Sequence, residues 1–246
     1  TLSIRSNTVT TLTPLDLFTI GIGPSSSHTV GPMRAASRFL ADLRANGVFD
    51  AVTRVQISLF GSLGATGVGH GTTNALVAGL AGTSPERCDP LEVTTAHDRA
   101  IATGSIQLGE RTLDFAESDI DLRPLTRVPQ HSNAMQFEAF DSTGEQLLSR
   151  IYFSVGGGFV ESDDEYGIEL SQSDIPLPHN YSNASELIAL CESTGKTIGQ
   201  IAYDNCVAVS SIDAVNDSLH AIWSTMTACV EDGLSHEGML PGTLNV

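Results

Sequence analysis

The sequence predicts an α+β or α/β sandwich, with helices packed on a largely antiparallel sheet, followed by helices that open a second domain. Three observations carry that prediction. Segments of helical and of alternating periodicity are interleaved through the first two thirds of the chain; the alternating segments are joined by short turns; and beyond Pro176-Leu-Pro178 only helical periodicity remains.

Taken in order, Val30, Met33, Ala36 (or Ser37), Leu40 and Leu43 recur at helical spacing over residues 28–46, with Pro32 in the first turn and Gly47 as the stop. Residues 53–60 alternate apolar and polar, as a strand does, and Gly61 to Gly71 read as a flexible glycine-rich loop. Residues 74–81 form a short buried helix stopped by Gly82. Residues 105–108 and 111–115 flank Gly109-Glu110, a two-residue hairpin turn. Residues 133–140 and 146–155 are alternating strands around Asp141-Ser-Thr-Gly144. Three glycines, 156–158, would weaken a sheet interior, so they mark a bulge or a close backbone approach. A domain boundary is expected near 178–182, dividing the chain into 1–180 and 181–246. Asn183-Ala-Ser-Glu186 starts the first of three helical segments with a capping-box pattern. The last, residues 213–232, carries Val215, Leu219, Ile222, Met226 and Cys229 on one stripe and is expected to end at Gly233. That stripe needs an apolar partner, which would bury Cys229.

Composition narrows the function. With 41% hydrophobic and 17% charged residues the chain can bury an ordinary core. A net charge of −17 argues against nucleic acid and against anionic membrane surfaces, both of which recruit clustered Lys and Arg. No basic segment precedes a sustained apolar run, and no apolar stretch approaches the ~20 residues that span a bilayer, so a cytoplasmic protein with no membrane partner is expected. Lys196 is the only lysine. It would have to be the Schiff-base residue of a pyridoxal-phosphate enzyme, yet no phosphate-cradling segment adjoins it, so no pyridoxal phosphate is expected. Cys88, Cys191, Cys206 and Cys229 are widely and unevenly spaced, with no Cys-x-x-Cys pair, and read as neither zinc ligands nor a disulfide framework.

The chemistry concentrates in Gly21-Ile-Gly-Pro-Ser-Ser-Ser-His-Thr-Val-Gly-Pro32. Ser25, Ser26, Ser27, His28 and Thr29 place five hydrogen-bonding side chains at a helix start, where a cap requires one. Unpaired N–H groups and the helix dipole favour an anion there, so the turn is a candidate site for a small anionic ligand. The glycines at 61, 64, 67, 69 and 71 do not make Gly-x-Gly-x-x-Gly, and no Gly-Lys-Ser/Thr follows. That segment instead presents His70 and Thr72. His131 and Asn133 precede a strand and can bind a ligand or each other. No Gly-x-Ser-x-Gly, His-Glu-x-x-His or Ser-x-x-Lys occurs.

Residues 18–36, 61–72, 131–137 and 152–159 together resemble, in the right order, the motifs of iron–sulfur-dependent L-serine dehydratases, and residues 237–246 resemble that family's entry into its catalytic domain. Two positions depart from it: Thr73 stands where Asp is usual, and Thr243 where a second Gly is. The resemblance implies an allosteric-substrate-binding-like fold for 1–180, and for 181–246 the start of a helical catalytic domain. It implies β-elimination of water from L-serine to give pyruvate and ammonia, assisted by a [4Fe-4S] cluster whose ligands lie in a C-terminal catalytic half and not in this chain. The chain alone is therefore expected to be inactive, and a homodimer is expected. His70 is implied as the general base, imidazole being suited to proton transfer. Ser25 to Thr29, Thr72, His131 and Asn133 are implied to bind substrate. The same resemblance extends to the small-anion-sensing domain of some D-3-phosphoglycerate dehydrogenases. On that alternative the chain is a non-catalytic binding or dimerisation module.

Overall fold

The computed structural model describes residues 13–168 and 175–239. The chain divides into two compact units, Thr19–Gly167 and Thr1–Phe18 with Ile168–Val246.

In the first unit the serine turn, a single π-helical turn over Ser26–Val30, runs directly into α1 (Gly31–Ala45). Strand β1 (Arg54–Phe60) follows, then α2 (Gly61–Thr66), a 3-10 turn Val68–His70, and α3 (Thr72–Leu80). Two short helices, α4 (Pro90–Thr94) and α5 (Ala96–Thr103), precede the hairpin β2 (Ser105–Leu108) and β3 (Arg111–Asp114). Strands β4 (Ile120–Arg123), β5 (Ala134–Phe140), β6 (Gln146–Gly156) and β7 (Phe159–Ser162) complete it. The main sheet has the order β4-β1-β5-β6-β7, antiparallel except where β4 runs parallel to β1. Helices α1 and α3 pack together, and Phe39 and Leu43 of α1, Leu76 and Leu80 of α3, Ile57 and Leu59 of β1, Phe137 of β5 and Tyr152 of β6 fill one core. A smaller cluster of Phe60, Ala134 and Phe153 stands apart from it.

The mixed architecture and mostly antiparallel sheet agree with the sequence, as do the Gly109-Glu110 turn and the paired strands β5 and β6. The glycine-rich loop does not. Residues 61–70 are helical, because Leu63 and Gly64 are buried and a side chain at Gly64 would meet the Leu59 carbonyl and the Pro124 nitrogen. Close packing overrides the low helix propensity of glycine here. Helices α4 and α5 and strands β4 and β7 were not expected. Asp89, which accepts the Leu91 N–H at 2.9 Å, and Pro90 were a readable helix start, whereas β4 is a four-residue edge strand with one buried side chain. Gly156, Gly157 and Gly158 all take positive φ, and the β6–β7 register shifts between Ser154 and Gly156. The backbone also approaches closely: Thr19 Oγ1 and Arg34 Nη1 donate to the Gly157 and Gly158 carbonyls, both at 2.7 Å. Bulge and close approach occur together.

The second unit holds α6 (Ala184–Thr194), α7 (Ile198–Val209) and α8 (Ile212–Ser235). Asn183 accepts the Glu186 N–H at 3.1 Å, as the capping pattern predicts, and Thr197 does the same for Gln200 at 3.2 Å. Helix α8 runs through Gly233 to Ser235, since a single glycine costs only about 1 kcal/mol in a helix. Cys229 is exposed, not buried, because no described residue covers that part of the stripe.

Candidate active site

The serine turn is assembled by its own polar groups. Ser25 is the helix cap: its Oγ accepts the His28 N–H at 3.2 Å, and its carbonyl accepts from Thr29 and Val30. The N–H groups of Ser26 and Ser27 have no acceptor among the described residues, as expected of a first helical turn. Gly31 lets the turn sit against β6. A Cβ at that position would fall 2.0 Å from Ser154 Oγ, so no larger residue fits without displacing the helix. Ser154 Oγ is itself buried and has no hydrogen-bond partner among the described residues.

Two threonines then clamp the turn to the segment leading into α3. Thr29 Oγ1 donates to the His70 carbonyl at 2.8 Å, and Thr72 Oγ1 donates to the His28 carbonyl at 2.5 Å. Both threonines are buried. Their hydroxyl protons are committed to backbone, which makes them positioning groups, while Ser26 stays exposed and Ser25 and Ser27 half-buried.

This clamp brings two imidazoles together, with the His28 and His70 ring centroids 5.0 Å apart. His70 Nδ1 lies 2.8 Å from the Thr66 carbonyl. A carbonyl can only accept, so Nδ1 carries the proton and the Nε2 lone pair of a neutral His70 is left available. His28 is buried between hydroxyls, with Nδ1 2.9 Å from Ser27 Oγ and Nε2 3.0 Å from Ser62 Oγ. Burial, and after it the charge of a protonated His70, hold the His28 imidazole below its ordinary value.

His131 and Asn133 form a separate pair at the start of β5. His131 Nδ1 accepts the Asn133 N–H at 3.0 Å, and Asn133 Nδ2 donates to the Ser154 carbonyl at 3.3 Å. The link to the serine turn is through backbone, since Ser132 O accepts the Ser62 N–H at 3.0 Å. Ser62 and Ser154 were missed in the sequence. Both lie inside the motif segments, where a serine among glycines or strand residues gives no signal of its own.

Residues 13–165 match the family model described as serine dehydratase beta chain. The chain belongs to this family. It is 43% identical over 237 residues to an L-serine dehydratase of Streptomyces coelicolor, covering 94% of this chain and 51% of that protein. It is 36% identical over 235 residues to L-serine dehydratase 1 of Escherichia coli K12, with the same coverage, and 39% identical over 242 residues to an L-serine dehydratase of Mycobacterium tuberculosis, covering 96% and 51%. The chain spans about half the length of the curated relatives it matches.

Among the described residues of this serine dehydratase beta chain, no three or more His, Cys, Asp or Glu side chains converge as a metal site. The four cysteines are free, and no three of them come together among the described residues. They do not fit an iron–sulfur cluster. No helix among the described residues is long and apolar enough to cross a membrane. Thr73 is buried in the first turn of α3; Thr243 lies outside the described residues.

Proposed function

We propose that this chain is the substrate-gripping, proton-abstracting portion of a cytoplasmic L-serine dehydratase, which eliminates water from L-serine to give pyruvate and ammonia. The observation that carries this reading is that His70, with its Nε2 lone pair available, lies beside a helix start whose Ser26 and Ser27 N–H groups have no acceptor among the described residues. The substrate carboxylate is held by those N–H groups and by the Ser26 and Ser27 hydroxyls, where the helix dipole favours negative charge. His70 Nε2 takes the α-proton. Thr29 and Thr72 keep the base and the grip in register, and His131 with Asn133 contributes from the β5 edge. The [4Fe-4S] cluster of the proposed holoenzyme draws no ligand from this chain. Its partner is a C-terminal catalytic half, and the assembly is a homodimer.

The test is kinetic, in an enzyme that contains both halves. General-base catalysis contributes about 10²–10⁴-fold, so His70→Ala should lower kcat by that factor and abolish exchange of the serine α-hydrogen with solvent. Near-normal α-hydrogen exchange in that variant would remove His70 as the base.

A further inference from the structure

The buried His28 sits in an unbroken chain of polar side chains, Ser62 Oγ to Nε2 at 3.0 Å and Nδ1 to Ser27 Oγ at 2.9 Å. Each hydroxyl has one proton and a neutral imidazole has one, so the chain can run in only one direction at a time. Run from Ser27, the Ser27 proton points at Nδ1, Nε2–H points at Ser62, and Ser27 offers an incoming anion only lone pairs. Run from Ser62, the Ser62 proton points at Nε2, Nδ1–H points at Ser27 Oγ, and the Ser27 proton can face an anion in preference to Ser25 Oγ, its weak neighbour at 3.4 Å. Only the second polarity suits a carboxylate, which accepts and cannot donate.

We propose that Ser62 is a positioning residue for substrate recognition: by donating to His28 Nε2 it holds His28 as the Nδ1–H tautomer and so turns the Ser27 hydroxyl toward the L-serine carboxylate. The proposal rests on the serine turn being the carboxylate site. Three further features of the site support it. Among the described residues no carboxylate hydrogen-bonds the His28 ring to impose the opposite tautomer. The burial of His28 disfavours the doubly protonated ring, which would have no use for the Ser62 proton. Ser62 is held in place independently of His28, its N–H donating to the Ser132 carbonyl at 3.0 Å and its carbonyl accepting from Thr66 Oγ1 at 3.0 Å. Its position is therefore fixed while its hydroxyl stays able to donate.

The experiment uses the 246-residue chain with its histidine rings labelled with nitrogen-15, and L-serine as the probe. Long-range proton–nitrogen spectra at pH 8 report which ring nitrogen of His28 carries hydrogen. With saturating L-serine, His28 should show the Nδ1–H pattern. Ser62→Ala should weaken L-serine binding about tenfold, the worth of one hydrogen bond, and leave His28 no longer held as the single Nδ1–H tautomer. Ser62→Thr should restore both. An Nε2–H ring in the wild-type complex overturns the proposal, as does unchanged affinity in Ser62→Ala. If Ser62→Ala fails to fold, the wild-type tautomer and Ser62→Thr decide by themselves. If neither the wild-type chain nor an enzyme containing both halves binds L-serine, the carboxylate-site reading falls and takes this proposal with it; normal wild-type binding with an insensitive Ser62→Ala sinks the Ser62 proposal alone.

Discussion

The two compact units treat apolar periodicity in opposite ways. In the first, the stripe of α1 disappears into a core: Met33, Ala36, Phe39, Leu40 and Leu43 are all buried. In the second, α8 is longer and also striped, yet Val215 is its one buried described residue, while Leu219, Trp223, Met226, Val230 and Leu234 are exposed. Burial is a property of what lies opposite a helix, and the stripe states only that something should. The first unit finds its partner within itself. The second presents a surface suited to another chain or segment, in keeping with the proposed dimer and catalytic half.

The largest test of this contrast is in the core. Phe137 is fully buried, stacked on Phe39 at 5.2 Å and edge-on to Tyr152 at 5.6 Å. Phe137→Ala should destabilise the first unit by about 3–5 kcal/mol, read as a fall in the urea midpoint with little change in slope. A loss below about 1 kcal/mol would mean that the core is not the close-packed one described.

A smaller effect separates the units by pH. His28 has its folded value depressed below the unfolded value of about 6.5. Between the two, the unfolded chain binds a proton that the folded chain does not, so stability falls as pH drops below about 6.5 and levels off below the folded value. In the second unit Asp204 is held low by Lys196 first and His179 second, so its contribution is present above the ordinary aspartate value of about 3.9 and is lost as pH falls through its folded value. Amide exchange measured from pH 7.5 to 5.5 should thus loosen the first unit through His28, and His28→Gln should remove that slope. A pH-independent first unit over this range would contradict the buried neutral imidazole.

The smallest expected change in fold stability is at Trp223, which is 68% exposed. Trp223→Ala should alter stability by less than about 0.5 kcal/mol, yet weaken self-association measured by light scattering at micromolar concentration. A variant that loses stability and keeps its oligomeric state would make Trp223 part of an internal core.

Local signals were read correctly wherever the cause is local. The α1 stripe, the Gly109-Glu110 turn, the Asn183 cap and the pairing of β5 with β6 across a short turn depend on neighbours within a few residues. The polar density of Ser25 to Thr29 also stood out in the sequence alone. What the sequence left open or misjudged depends on distant partners. Residues 61–70 fold as helix because buried contacts with β1 and the segment after β4 favour it, although their glycines suggested a loop. The parallel pairing of β4 with β1 joins residues some sixty apart, Ile57 with Ile120. Cys229 is exposed because nothing described lies over it. At the site, the sequence put a histidine in each of two motifs and a serine among glycines. Only the tertiary structure set the rings 5.0 Å apart, tied one to a carbonyl, and placed the other between Ser27 and Ser62. Side-chain type and short-range periodicity are written along the chain, whereas hydrogen-bond direction and burial depend on atoms that only folding brings together.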